Sequence, residues 1–155
     1  MDDKRELLRH TVATLAYRAT RALENAPPEF ASFSGAGREP VKILAHMGDL
    51  FDWALSLVEG RQSWHNSEPL PWPDEVARFY AALQAFDAYL TSSEPLHAPV
   101  EGLFQGPVAD ALNHTGQLAM LRRMAGCKIH GENYYVAHIE IGRVGANQAV
   151  PEKTF

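Results

Sequence analysis

Apolar residues recur at helical spacing in the first part of the chain and predict two long helices. The first runs from about Asp3 to Asn25; acidic residues at its start suit the helix dipole, and Pro27 and Pro28 end it. The second runs from about Pro40 to Gly60, with proline at a first-turn position and glycine at a typical C-terminal position. Apolar side chains nearly encircle this second helix, which predicts that it is largely buried.

The same spacing predicts two further helices in the second half of the chain. The third runs from about Pro73 to Thr91, after a proline- and tryptophan-containing linker at residues 61–73. The fourth starts between Gly102 and Pro107 and ends at Gly126. Four helices joined by loops of roughly ten residues predict an up-down type four-helix bundle, although loops of this length also permit a crossover connection.

The last part of the chain has a different pattern. Residues 127–155 carry several glycines, and an alternating stretch from Tyr135 to Ile141 indicates an extended, strand-like segment lying on the bundle. The prediction is therefore a single all-α domain over residues 1–155. It consists of a four-helix bundle over residues 3–126 and an irregular C-terminal tail over residues 127–155.

Composition narrows the functional classes. The chain has 155 residues, of which 46% are apolar and 21% charged, as is typical of one globular domain. Its 14 basic and 19 acidic residues leave a net charge of −5, which disfavours a nucleic-acid partner. No apolar run approaches the roughly 20 residues of a membrane span, and the stretch MDDKRELLRH lacks the apolar core of a signal peptide. These features predict a cytoplasmic protein that acts on a small molecule, without membrane partners.

Two histidines have neighbours that suggest chemistry. His46 lies in the middle of the nearly all-apolar second helix, where an unpartnered ring nitrogen would cost roughly 1–3 kcal/mol, so it either bonds a neighbour or binds a ligand. Asp110 and His114 are four residues apart and share one face of the fourth helix, which Gln117 extends by a turn. Two imidazoles and a carboxylate suit a divalent ion such as Zn²⁺ or Ni²⁺. Spacing alone also allows an ordinary Asp–His pair near solvent, with Gln117 in helix packing.

Two segments resemble a known family of helical bundles. The stretch I-L-A-H-M-G-D-L-F-D-W (residues 43–53) resembles the second-helix signature of the DinB-like metal-binding four-helix bundles. The stretch D-A-L-N-H-T-G-Q-L-A-M-L-R-R-M-A-G (residues 110–126) is similar to the last-helix signature of that superfamily. The resemblance implies one divalent ion held by His46, Asp110 and His114. Many members carry histidine at the position of Asp110, whereas the mycothiol-dependent maleylpyruvate isomerases resemble this chain in having an acidic residue there.

The resemblance also implies a range of activities. The superfamily includes transferases and isomerases that use bacillithiol, mycothiol or glutathione. It therefore implies a metal-dependent enzyme of the thiol S-transferase or isomerase type, with a low-molecular-weight thiol as co-substrate. Two alternatives stay open: a non-catalytic, stress-associated or small-molecule-binding bundle with a structural or vestigial metal site, and a metal-dependent hydrolase. Apolar helix surfaces favour a homodimer.

Other polar residues have weaker patterns. Asp49 is rotated by about 60° from His46 around the second helix, and we expect Asp49 and Asp52 to belong to a solvated face. His138 would serve as a proton shuttle or an extra ligand only if the tail crosses the mouth of the bundle, so a surface position is favoured. Cys127 follows a helix C-terminus, which disfavours a thiolate and predicts a structural role.

Overall fold

The predicted all-α bundle is confirmed in a computed structural model, which describes residues 2–35 and 37–155. Helix α1 spans Asp3–Leu23, α2 spans Pro40–Val58 and α3 spans Trp72–Thr91. A short 3-10 helix at Pro28–Ser32 lies between α1 and α2. Helix α1 ends two residues before the predicted Asn25, because the backbone is already extended at Glu24 (φ −65°, ψ 143°), and Asn25 follows in a left-handed conformation with φ of 55°.

The fourth helix, α4, starts earlier than predicted and contains an irregular turn. Pro107 has no N–H to donate to the carbonyl four residues earlier, and the N–H of Ala109 reaches back five residues to the carbonyl of Phe104. The predicted start between Gly102 and Pro107 is therefore wrong, because a wider turn accommodates the proline inside the helix. Helix α4 covers residues 100–124, as Val100–Leu103, a π-helical turn at Phe104–Val108, and Ala109–Met124.

Contacts between the helices define their directions. Helix α1 is antiparallel to α3, since Arg5 donates to the carbonyl of Leu90 near one end and Thr20 contacts Tyr80 near the other. Helices α2 and α3 are parallel: Arg78, near the start of α3, contacts the middle of α2, and the N–H of His97, beyond the end of α3, donates to the carbonyl of Val58 at 3.1 Å.

Helix α4 is parallel to α1, because Lys4 pairs with Glu101 at 2.5 Å and Arg122 donates to the carbonyl of Ala22 at 2.9 Å. The order of directions is thus up, down, down, up, and differs from the alternation of the expected up-down type, because α2 and α3 run parallel. The linker over residues 59–71 makes the crossover connection that loops of this length permit.

The four helices enclose one apolar core. Three phenylalanines of α2 and α3, Phe51, Phe79 and Phe86, are fully buried in it, and Phe51 and Phe86 pack edge to face across this parallel pair. On α1, four buried alanines allow neighbouring helices to approach closely: Ala13, Ala16, Ala19 and Ala22. Among the helices of residues 2–35 and 37–155, none combines the length and apolar composition needed to cross a membrane.

The C-terminal tail lies against α1. A buried carboxylate, Glu132, accepts a hydrogen bond from the Tyr17 hydroxyl and pairs with Arg21 at 3.3 Å. Burial, together with this hydrogen bond to Glu132, raises the pKa of Tyr17 above its usual value. Arg18 lies over the ring of Tyr134 at 4.0 Å from its centroid. These contacts attach the start of the tail to the C-terminal half of α1.

The expected strand-like segment from Tyr135 to Ile141 does not form. Tyr134–Val136 is a 3-10 turn, and the Asn133 side chain accepts a hydrogen bond from the N–H of Tyr135 at its start. The rest of the segment forms no strand in the described part of the chain, where an isolated antiparallel bridge joins Glu132 and Thr154. A strand needs a neighbouring strand for its backbone hydrogen bonds, and the described residues offer none beside this segment.

We expect Tyr17→Phe to lower the free energy of unfolding by about 1–3 kcal/mol, because it removes a hydrogen bond from a buried carboxylate. Urea unfolding would measure the difference. Tyr135→Phe is the matched control: the same hydroxyl is removed from a side chain that is 96% exposed, and the expected change is within about 0.5 kcal/mol. Equal stabilities of the two variants would contradict the role given to Glu132.

Candidate metal centre

The three predicted ligands come from two neighbouring antiparallel helices. His46 lies near the middle of α2, and Asp110 and His114 lie on consecutive turns of α4. Residues four apart on a helix share a face, and this face of α4 is directed at His46. The structure therefore brings together the three residues that the sequence singled out, with one possible ligand atom of each within 4.8 Å of the other two.

The contacts converge on one carboxylate oxygen. Asp110 Oδ2 lies 3.4 Å from His46 Nε2 and 3.5 Å from His114 Nε2. The two imidazole rings are nearly perpendicular, with centroids 4.9 Å apart. Both histidines thus direct the same type of nitrogen towards the same oxygen.

These separations match the donor geometry of a small divalent ion. Bonds of about 2.1 Å at a tetrahedral angle place two ligand atoms roughly 3.4 Å apart. Both the 3.4 Å and the 3.5 Å separation agree with that value. The donor set also fits, since two imidazoles and one carboxylate are common ligands of Zn²⁺ and other first-row ions. The three residues could hold a divalent ion without a large rearrangement.

Gln117 orients one of the histidines. Its Oε1 lies 2.7 Å from His114 Nδ1, and in the tautomer in which Nδ1–H donates to this oxygen, Nε2 carries its lone pair on the side of Asp110. Ligand histidines in metalloproteins are commonly held by such a bond from the other ring nitrogen. Gln117 was expected either to hydrogen-bond a ligand histidine or to pack between helices; in the structure it hydrogen-bonds His114.

The site is partly open. The side chain of His114 is 11% exposed, that of His46 24% and that of Asp110 45%. The indole of Trp64, from the linker, packs edge to face on His46 with centroids 5.7 Å apart, and Trp53 packs on Trp64. One side is therefore covered by aromatic rings, and the other side, at Asp110, faces solvent.

Comparisons with protein-family models, with curated proteins and with solved structures return no match. The function must therefore be inferred from the chemistry of the site, since a helical bundle by itself supports many activities.

A second polar cluster lies beside the site and was not predicted. Asp49 is 3% exposed, so its expected place on a solvated face is wrong. Arg78, nearly two turns into α3, contacts Asp49 and lies 3.2 Å from Asp52 and 2.7 Å from the fully buried Glu75. His65 Nε2 lies 3.0 Å from Asp49 and 3.2 Å from Asp52. The sequence pattern of α2 could not predict this cluster, because its arginine, Arg78, comes from α3.

This cluster attaches the linker to α2. The Ser67 N–H and hydroxyl both donate to Asp49, at 2.8 and 2.7 Å. Burial alone would raise the pKa of Asp49, but the hydrogen bonds from Ser67 and the guanidinium of Arg78 outweigh it and lower the pKa below its usual 3.8. Asp49, Asp52 and His65 also lie within 4.8 Å of one another, but Arg78 already contacts both carboxylates. The cluster fixes the linker that carries Trp64.

The remaining candidates lie away from the centre. The side chain of His138 is 69% exposed and lies 3.3 Å from Glu152, so the structure places it on the surface of the tail. Cys127 is half-buried and packs against the core, in agreement with a structural role.

Proposed function

We propose that this protein binds one divalent ion, Zn²⁺ or Ni²⁺, through His46, Asp110 and His114. The observation that carries the proposal is the convergence of two Nε2 atoms on one carboxylate oxygen at 3.4 and 3.5 Å. Support also comes from Gln117, which leaves the correct nitrogen of His114 available. We further propose, from the resemblance of residues 43–53 and 110–126, that the chain is a member of the DinB-like bundles.

The activity we propose is that of a metal-dependent enzyme of the thiol S-transferase or isomerase type, with a low-molecular-weight thiol as co-substrate. A bound divalent ion lowers the pKa of a thiol or a water molecule at an open coordination position. The chain supplies the surroundings for that chemistry. Asp110 contributes one negative charge, Gln117 holds His114 in place, and Trp64 keeps water from one side of His46.

A non-catalytic bundle with a structural or vestigial site is the alternative. His46 Nε2 and Asp110 Oδ2 are close enough to share a hydrogen bond, so the cluster can be satisfied without an ion. Moreover, none of the buried side-chain N and O atoms in the described parts of the chain lacks a partner. A metal-dependent hydrolase is the second alternative, because the partly open side of the centre would accept water as well as a thiol.

We also propose a homodimer in the cytoplasm that takes a small-molecule substrate. Support for pairing comes from an apolar groove of about 550 Å³ between α1 and α4, where Leu7 is 64% and Phe104 44% exposed. Sedimentation analysis would test the homodimer.

Elemental analysis of protein purified without an affinity tag tests the metal site. We expect close to one Zn²⁺ or Ni²⁺ per chain, before or after the ion is supplied and the excess removed by dialysis. Protein that takes up neither ion would overturn the proposal and leave the non-catalytic alternative. Assays of the loaded protein with and without added thiol then separate the two enzymatic alternatives, since only a thiol transferase requires the thiol for turnover.

A further inference from the structure

Two depressions lie next to the candidate metal centre and share one wall. The first, of about 370 Å³, is lined by His46, Lys42 and Arg38 among others. The second, of about 300 Å³, is lined by Gln117 and Arg38. Arg38 belongs to both and therefore lies between them. One depression reaches a candidate ligand directly, and the other reaches the residue that orients His114.

The charges around the first depression leave Arg38 available. Lys42 has a counter-ion in Glu39 at 3.5 Å, and Asp49 is bound by Arg78. Glu68 also lines this depression, and within the described residues it forms an ion pair with neither Lys42 nor Arg38. Within residues 2–35 and 37–155, Arg38 forms neither an ion pair nor a side-chain hydrogen bond. Its guanidinium can therefore bind a carboxylate in the two-pronged manner that arginine favours.

The centre itself would add to this preference. Asp110 is the single carboxylate among the three candidate ligands, so a bound divalent ion would keep about one net positive charge. A positive centre beside an unpaired guanidinium attracts an anion. The preference for a negatively charged ligand thus follows from the ligand set as well as from Arg38.

The second depression is apolar. Its walls include two methionines of α4, Met120 and Met124, which are 58% and 49% exposed. Ile43 and Leu121 complete the apolar lining. Methionine adapts to irregular apolar groups. A ligand that reaches this depression would place hydrocarbon against these residues.

We propose that the centre takes a small carboxylate-bearing ligand, and that Arg38 is the residue that selects it. The carboxylate binds the guanidinium of Arg38, and the apolar part lies against Met120 and Met124. This inference rests on the proposed metal site, because the end of the ligand opposite the carboxylate binds the metal ion.

Two thiols of similar size test the proposal on Co²⁺-loaded protein. The probes are 3-mercaptopropionate, which carries a carboxylate, and 2-mercaptoethanol, which is neutral. The absorption that accompanies thiolate binding to Co²⁺ gives the affinity of each at low ionic strength, because salt screens an exposed guanidinium. The quantity compared is the ratio of the two affinities, which cancels any general effect of a variant on thiol binding.

We expect Arg38→Gln to reduce that ratio by about tenfold, the effect of losing one hydrogen-bonded charge pair. Arg61→Gln is the control, because Arg61 is an exposed arginine paired with Glu59 in the linker, and its ratio should equal that of the wild type. An unchanged ratio in Arg38→Gln, with Co²⁺ still bound, would overturn the role of Arg38 alone. Failure of the wild type to bind Co²⁺ would overturn the metal site and the inference together.

Discussion

Alanine in place of His114 should abolish the binding of a divalent ion while the four helices stay folded. Loss of this residue leaves His46 and Asp110, and two ligands hold a first-row ion far more weakly than three. Even the loss of an outer partner of a ligand histidine costs roughly 10–100-fold in metal affinity, so the loss of a ligand should exceed about 100-fold. His46→Ala should have a similar effect, because His46 supplies the contact from α2.

Two further variants should have smaller effects on metal affinity than the loss of a ligand. Gln117→Leu removes the hydrogen bond to His114 Nδ1 and should weaken binding by about 10–100-fold without abolishing it. His138→Ala, on the surface of the tail, should leave the affinity unchanged. Competition with a coloured chelator measures the affinity, and far-ultraviolet circular dichroism shows whether each variant keeps its helices. Full metal binding by folded His46→Ala and His114→Ala would refute the ligand set.

Methionine in place of Arg78 should lower the free energy of unfolding by about 3–5 kcal/mol, the largest stability effect we expect in this chain. Arg78 contacts Asp49 and lies 2.7 Å from Glu75; these carboxylates are 3% and 0% exposed. Without the guanidinium, both charges would remain buried and poorly compensated. Methionine keeps most of the apolar volume of the arginine stem, so the loss reports mainly on the charge.

Guanidinium chloride unfolding at neutral pH measures this difference, with Arg61→Met as the control. Arg61 pairs with Glu59 in a more exposed setting, where loss of the pair costs about 0–1 kcal/mol. The sign of the pH dependence follows from the lowered pKa of Asp49. The stabilisation by Arg78 is complete above pH 3.8, the usual pKa of an aspartate. It is lost as the pH falls through the lower pKa that Asp49 has in the folded protein. Equal losses in the two variants at pH 7 would contradict the role of Arg78.

Apolar periodicity was sufficient to predict most of the helical boundaries. The third helix was predicted from Pro73 to Thr91 and spans Trp72–Thr91. Local turn residues explain this success, since proline and glycine act within a few positions. The fourth helix differed because Pro107 lies within a π-helical turn, and nothing in the local pattern distinguishes that turn from a helix start.

The candidate site was predictable to the extent that its residues share a helix. Asp110 and His114 are placed on one face by their spacing, and His46 stood out as a histidine in a nearly all-apolar helix; donor chemistry and the resemblance to a known family then suggested that it joins them. Contacts that depend on the relative position of two helices could not be predicted. The pairing of Arg78 with Asp49 spans 29 residues of sequence, and each residue alone is an ordinary charged position on an amphipathic helix.

The π-helical turn in α4 lies between the first turn of the helix, which packs on α1, and the part that carries Asp110 and His114. Each residue of an α-helix advances by 100°, so one additional residue in a turn rotates all that follows by about that angle. Leu103, buried in the core, precedes the turn, and Asp110 and His114 follow it. A one-residue change in length at 104–108 would therefore re-aim both ligands together while the helix start keeps its contacts with α1. The same change would turn Ala111, Leu118 and Leu121 away from the core, so the length of this turn sets the ligand face and the core face of α4 together.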